Sequence, residues 1–178
     1  MSVRIKHHPH NDLMALAHHH VTTIREKIEA GRQDGIKLDC MSALIAMAFA
    51  VEALINYVGA EKIPAWNERS SYPDKLRILR RKINLSTEAS AQPWLTLTTL
   101  KQVRNQLAHG KPMRSTARVT TKEELNEAMA SPWDQHCTPE TVEEAFANVR
   151  EFRRLLLAAA QISLGASFTS AAGGFDPA

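Results

Sequence analysis

The chain has few of the residues that interrupt helices or cross-link small folds. Its 178 residues include only 7 glycines, 8 prolines and 2 cysteines. Cys40 and Cys137 cannot build a disulfide framework and do not form a CxxC pair, so we expect free thiols in a reducing cytoplasm. No Gly/Ser-rich or Pro-rich linker divides the chain. Its length suits one domain with a core of its own.

Targeting and membrane-spanning signals are also missing. The first ten residues are basic and His-rich and contain no apolar stretch, so we do not expect a signal peptide. The segment from Cys40 to Val58 is apolar nearly all round, but it contains Glu52 and Asn56. An acid at mid-membrane costs about 2.5–3.5 kcal/mol even on lenient insertion scales. We therefore predict a central core helix in a cytoplasmic protein without membrane contact.

Apolar residues recur at helical spacing, and no stretch shows sustained period-two alternation. Gly31 and Gly59 are expected to end the first two helices. The expected helices cover residues 11–30, 39–58 and 93–108, and others begin near Ser71, at a Thr121/Glu124 capping box and after Thr138-Pro139. This pattern predicts an all-α, up-and-down helical bundle of four to five helices over residues 1–164, with a disordered tail over 165–178.

The fourth helix contains an arginine where its periodicity predicts an apolar residue. Arg104 falls on the same arc as Leu97 and Leu100. A buried guanidinium needs an anionic partner, because an unpaired buried charge is very costly. The partner is either Glu52, in an internal ion pair, or a phosphate bound in a cleft, which the planar fork of arginine suits.

His109 occupies the last turn of the same helix, beside Gly110. It fits either a residue favoured there by the helix dipole or a catalytic group. On an ideal helix His109 and Arg104 point about 140° apart. For both to act on one atom, the last turn must unwind before Gly110, or two copies of the chain must share the site.

The string from Arg104 to Gly110 resembles the Arg-Asn-x-x-x-His motif of the HEPN family, which consists of small all-α domains common in prokaryotic toxin–antitoxin, defence and RNA-processing systems. The helix around Glu52 is similar to the Glu-containing apolar helix of many such proteins. The resemblance covers the chain from about Leu13 to Ala160 and implies metal-independent endoribonuclease chemistry, without a cofactor, at a homodimer interface.

The resemblance also implies a role for each residue of the motif. His109 is expected to be the general base on the ribose 2′-hydroxyl or the acid for the leaving 5′-oxygen, a form of catalysis worth about 10²–10⁴-fold. Arg104 is expected to hold the scissile phosphate, and Asn105 is expected to orient either Arg104 or His109. Glu52 either supports the catalytic groups or only neutralises the positive charge of the site. In a two-fold dimer the paired motifs would line one groove.

Basic residues surround this motif, and no acidic residue occurs from Ala89 to Lys122. They fit either ordinary solvated helix faces or a groove that tracks RNA phosphates. Tyr72 and Trp94 likewise fit either base stacking or core packing. The expected RNA-binding residues are Lys101, Lys111, Arg114, Arg77, Arg80 and Arg81.

Two readings of function remain open at this point. The first is a ribonuclease, a toxin or defence effector with an antitoxin or a nucleotidyltransferase as its protein partner. The second is a non-catalytic HEPN-like module that binds a nucleotide or a protein. We expect no metal site, because the histidines at 7, 8 and 10 and at 18, 19 and 20 lack a ligand spacing with a nearby carboxylate.

Overall fold

The protein is an all-α helical bundle, as predicted. A computed structural model describes residues 3–85, 91–112 and 114–172. Within them the helices are α1 (Pro9–Glu29), α2 (Ile36–Lys62), α3 (Tyr72–Ile83), α4 (Trp94–His109), α5 (Lys122–Ala128) and α6 (Pro139–Ala159). Helix α2 packs against α1, α3, α4 and α6, so it is the centre of the bundle.

Helix α2 is buried where its sequence is apolar. Leu44, Met47, Ile55 and Val58 are all 1% exposed or less. By length and composition α2 is also the one helix of the described residues that could cross a membrane, and a little over half of its most apolar stretch is buried inside the bundle. The central helix of a water-soluble core passes the same test, so this helix alone does not assign a membrane or a compartment.

Three helices start where the sequence predicted, and each start has a side-chain cap. Ser71 accepts a hydrogen bond from the backbone of Asp74 and begins α3. Thr121 and Glu124 form the expected capping box of α5. Thr138 caps α6. Each cap satisfies a backbone N–H that the first helical turn leaves unpaired.

The predicted end of α2 at Gly59 is wrong, because the helix continues to Lys62. Gly59 is instead a site of close packing: a Cβ atom there would lie 2.3 Å from the indole ring of Trp66. Its missing side chain therefore makes room for the loop after α2. Helical spacing places Val21, Ile24 and Ile28 on one apolar arc of α1, but only the first two are buried, and Ile28 is 48% exposed.

The two ends of the chain meet in a short antiparallel ladder. Strand β1 (Arg4–Lys6) pairs with β2 (Ser170–Ala172), and a 3-10 turn over Gly165–Ser167 leads into β2. The predicted disordered tail is thus not found over residues 165–172; residues 173–178 lie outside the described part. Strands of three residues are too short for a period-two pattern to reveal.

Candidate functional site

One carboxylate connects three helices of the bundle. Glu52, on α2, accepts a hydrogen bond at Oε1 from the ammonium of Lys75 on α3 at 3.0 Å. At Oε2 it accepts one from the guanidinium of Arg104 on α4 at 2.6 Å. These three residues are called the Glu52 triad below. The ion pair to Glu52, one of the two alternatives for Arg104, is therefore present.

The triad has more positive than negative charge. Burial by itself raises the pKa of the Glu52 carboxyl, but the hydrogen bonds and charges of Lys75 and Arg104 outweigh it and keep that pKa below its ordinary value. The carboxylate is then ionised at neutral pH between two cations, which leaves one positive charge in excess. Lys75 is 1% exposed, whereas the Arg104 side chain is 24% exposed. Of the two cations, Arg104 is the one that is accessible to solvent.

The outer side of Arg104 is positioned by two further groups. Its Nη1 donates to Oδ1 of Asn105 at 3.0 Å. Its guanidinium carbon lies 5.8 Å from the centre of the Phe49 ring, which is within cation–π range. Phe49 is 43% exposed although it lies on the central helix. Arg104 is therefore oriented at the surface rather than enclosed in the core.

His109 is the last residue of α4 and is exposed. None of the residues in the described ranges forms a hydrogen bond with its imidazole, so the ring is accessible to a ligand. Asn105 precedes it by four positions, which places Asn105 and His109 on one face of the helix. The amide that contacts Arg104 thus lies between the inner arc and the face of His109.

Helix α4 does not unwind before Gly110, so the separation of about 140° between Arg104 and His109 persists within one chain. Gly110 takes the chain sharply away from the helix. A Cβ atom at this position would lie 2.4 Å from the carbonyl oxygen of Gln106, a contact that only glycine avoids. An unwound last turn is therefore excluded as the way to bring Arg104 and His109 to one atom, and a groove shared by two copies of the chain is the remaining alternative.

Lys101 and Tyr72 border the triad. The Lys101 ammonium lies 5.5 Å from the centre of the Tyr72 ring, and both line a small cavity with Glu52 and Arg104. The Tyr72 hydroxyl is buried without a hydrogen-bond partner among the described residues. Burial, with the Glu52 charge nearby, raises its pKa. Trp94 packs edge-on against Phe152, so it belongs to the core.

The other predicted RNA-binding residues lie outside this cluster. The three arginines of α3, Arg77, Arg80 and Arg81, are exposed and line a shallow concavity of about 360 Å³ at the end of that helix. Arg77 donates to Asp74 at 2.7 Å. Lys111 and Arg114 are exposed after α4.

Sequence analysis missed the role of two residues at the site. Lys75 is one of several basic residues of α3, yet it lies on the apolar arc of that helix: it precedes the buried Leu79 by four positions, about 40° away. The same test that identified Arg104 would have found it. Phe49 had no such signal, because α2 is apolar all round and its exposed face cannot be read from periodicity.

No family model, no curated protein sequence and no solved structure matches this chain. Within the described ranges, no group of three or more histidine, cysteine, aspartate or glutamate side chains is arranged to hold a metal ion.

Proposed function

We propose that the protein is a metal-independent endoribonuclease of the HEPN type, with Arg104 on the scissile phosphate and His109 in proton transfer. The observation that carries the proposal is the state of Arg104. Its guanidinium is held by Glu52 and Asn105 at the surface, and Lys75 neutralises the Glu52 carboxylate behind it. A planar, positioned guanidinium is suited to the two negative oxygens of a phosphodiester.

The reaction that fits these groups is an internal transfer. The ribose 2′-oxygen attacks phosphorus, its proton passes to a neutral imidazole, and the bond to the 5′-oxygen breaks. The imidazolium formed in this way gives its proton to that leaving oxygen, so the products carry a 2′,3′-cyclic phosphate and a 5′-hydroxyl. Arg104 stabilises the extra negative charge on the phosphorus oxygens. No metal is required to balance these steps.

The proposed active form is a homodimer. Because Arg104 and His109 point about 140° apart on an unbroken helix, one copy does not direct both at the same phosphate. In a two-fold dimer, Arg104 of one copy and His109 of the other can line one groove, and the symmetry repeats the site. The basic residues Lys101, Lys111 and Arg114 would then follow the RNA backbone away from the groove.

We place this activity in the cytoplasm, because Cys40 and Cys137 are both buried free thiols. Burial raises the pKa of Cys40 to about 12, which keeps it inert. A toxin or defence effector of this kind would be held inactive by an antitoxin or by a nucleotidyltransferase partner.

The test is cleavage of total RNA by the purified protein in EDTA. Wild type should give discrete fragments with cyclic-phosphate ends, and His109→Ala should lower the rate by about 10²–10⁴-fold. Gln102→Ala is the matched control, because Gln102 is exposed on the same helix. Its rate should equal that of wild type. No cleavage by folded, dimeric wild type would reject the nuclease.

The second candidate is a non-catalytic module that binds a nucleotide or a protein. The observation that favours it is that Arg104 already has an anionic partner within the chain, Glu52. On that reading Arg104→Ala loosens the contact between α2 and α4 and lowers stability, and His109→Ala leaves ligand binding unchanged.

A further inference from the structure

Lys75 is the charged side chain whose position is hardest to explain by packing alone. It is 1% exposed, and among the residues that the structure describes its ammonium has Glu52 as its one hydrogen-bond partner. Removing an ammonium from water is costly, and an apolar side chain of similar size often stabilises such a contact equally well or better. A simple link between α2 and α3 therefore does not require a lysine.

The charge of Lys75 changes what Arg104 can bind. Without Lys75, Glu52 and Arg104 would form a neutral pair. With it, the Glu52 triad has two positive charges and one negative, and Glu52 divides its two oxygens between the cations. Lys101 adds a further positive charge beside the same small cavity, whose described lining contains no second acid. The local field at the exposed guanidinium is therefore positive.

We propose that Lys75 is a positioning residue that sets the charge of the Glu52 triad, so that Arg104 attracts a phosphodiester while it remains held by Glu52. The ligand class, a single-stranded nucleic acid, rests on the proposed function. Lys75 does not contact the ligand, because it is buried behind Glu52. It acts by neutralising the carboxylate that would otherwise cancel the charge of Arg104.

The test measures affinity without cleavage. The probe is a labelled single-stranded DNA of about ten nucleotides, which lacks the 2′-hydroxyl, in a fluorescence anisotropy titration at low ionic strength. Lys75→Met should weaken binding by about 3- to 10-fold, and Arg104→Gln by at least as much. Lys37→Met is the control: it removes the same charge from an exposed lysine that pairs with Asp134. Its affinity should equal that of wild type.

A double variant separates charge from structure. Adding Glu52→Gln to Lys75→Met leaves Arg104 as the one charge of the triad, so the net charge returns to that of wild type. Affinity should then recover to within about twofold of wild type. If the triad served only to connect helices, removing a second member would not restore binding. Lys75→Gln, which keeps a donor for Glu52, is a second neutral variant if Lys75→Met does not fold.

The outcomes distinguish this proposal from the nuclease. Unchanged affinity in Lys75→Met or Lys75→Gln would overturn it, and so would a wild type that binds no better than Arg104→Gln. Loss in the single variant and recovery in the double variant would support it. If that pattern appears while wild type leaves RNA intact in EDTA, the anion site stands and the nuclease proposal fails.

Discussion

Arg104 and Asn105 are consecutive residues whose side chains bond each other, with Nη1 of the arginine donating to Oδ1 of the amide at 3.0 Å. This contact joins two faces of α4. Arg104 lies on the side of α4 that faces the bundle, where it pairs with Glu52 of α2. Asn105 lies on the outer face, four residues before His109. The polar residues of the motif therefore extend around the helix, from a half-buried ion pair to an exposed imidazole.

The Glu52 triad should behave as a coupled unit in stability measurements. Glu52→Gln leaves the Lys75 ammonium buried without a counter-charge, and we expect the free energy of unfolding to fall by about 3 kcal/mol. Adding Lys75→Met removes that buried charge and should recover most of the loss. Urea unfolding of the two single variants and the double variant measures this coupling. Glu143→Gln, at an exposed pair with Arg25, should change the midpoint little. Strictly additive losses would contradict the coupling.

Gly110 should be required to place His109. In Gly110→Ala the new Cβ would meet the Gln106 carbonyl oxygen at 2.4 Å, so the backbone after His109 must shift. We expect RNA cleavage to fall by about tenfold or more, because small displacements of a catalytic group are costly. Gly165→Ala is the control, since no atom lies within 4 Å of a Cβ there. Equal cleavage rates for the two variants would show that the close approach at Gly110 is unimportant.

Acid should weaken the contact between α1 and the C-terminal segment, where Nε2 of His10 lies 3.0 Å from the carbonyl oxygen of Ser167. Burial, with the Arg153 charge nearby, lowers the pKa of His10 to about 4. An unfolded histidine binds a proton below about pH 6.5, so between that value and about pH 4 the unfolded chain holds more protons. As the pH is lowered through this window, the free energy of unfolding should therefore fall, by about 1–2 kcal/mol once solvent screening is included.

The measurement for His10 is urea unfolding across that pH window. His10→Gln should lose this part of the pH dependence, whereas His19→Gln, at an exposed position of α1, should retain it. Parallel pH profiles for wild type and His10→Gln would show that the buried imidazole is not the group responsible.

Much of the fold was predictable because it depends on local chemistry. The start of α3 near Ser71, the start of α6 after Thr138 and the Thr121 capping box of α5 are set by residues within one or two turns, and all three are present. The features that were missed depend on contacts between distant residues. Trp66 packs on Gly59 and lets α2 continue past it. The tail pairs with β1 more than 160 positions away.

The site was partly predictable for the same reason. Arg104 was identified because it breaks the apolar arc of its own helix. The division of Glu52 between two cations required the relative placement of α2, α3 and α4, which periodicity within each helix does not give. In the proposed dimer, Arg104 and His109 of one site come from different copies of the chain, and no property of one helix specifies that arrangement.

The most direct test of the account mixes two inactive variants. His109→Ala and Arg104→Ala should each fail to cleave RNA in EDTA. After mixing and subunit exchange, a dimer of the two variants contains one groove with an intact Arg104 from one copy and an intact His109 from the other. With equal amounts and random exchange, half of the dimers are mixed and each has one of its two sites intact, so we predict that cleavage returns to about a quarter of the wild-type rate. A mixture that stays inactive, from variants that exchange subunits beside an active wild type, would contradict the shared site.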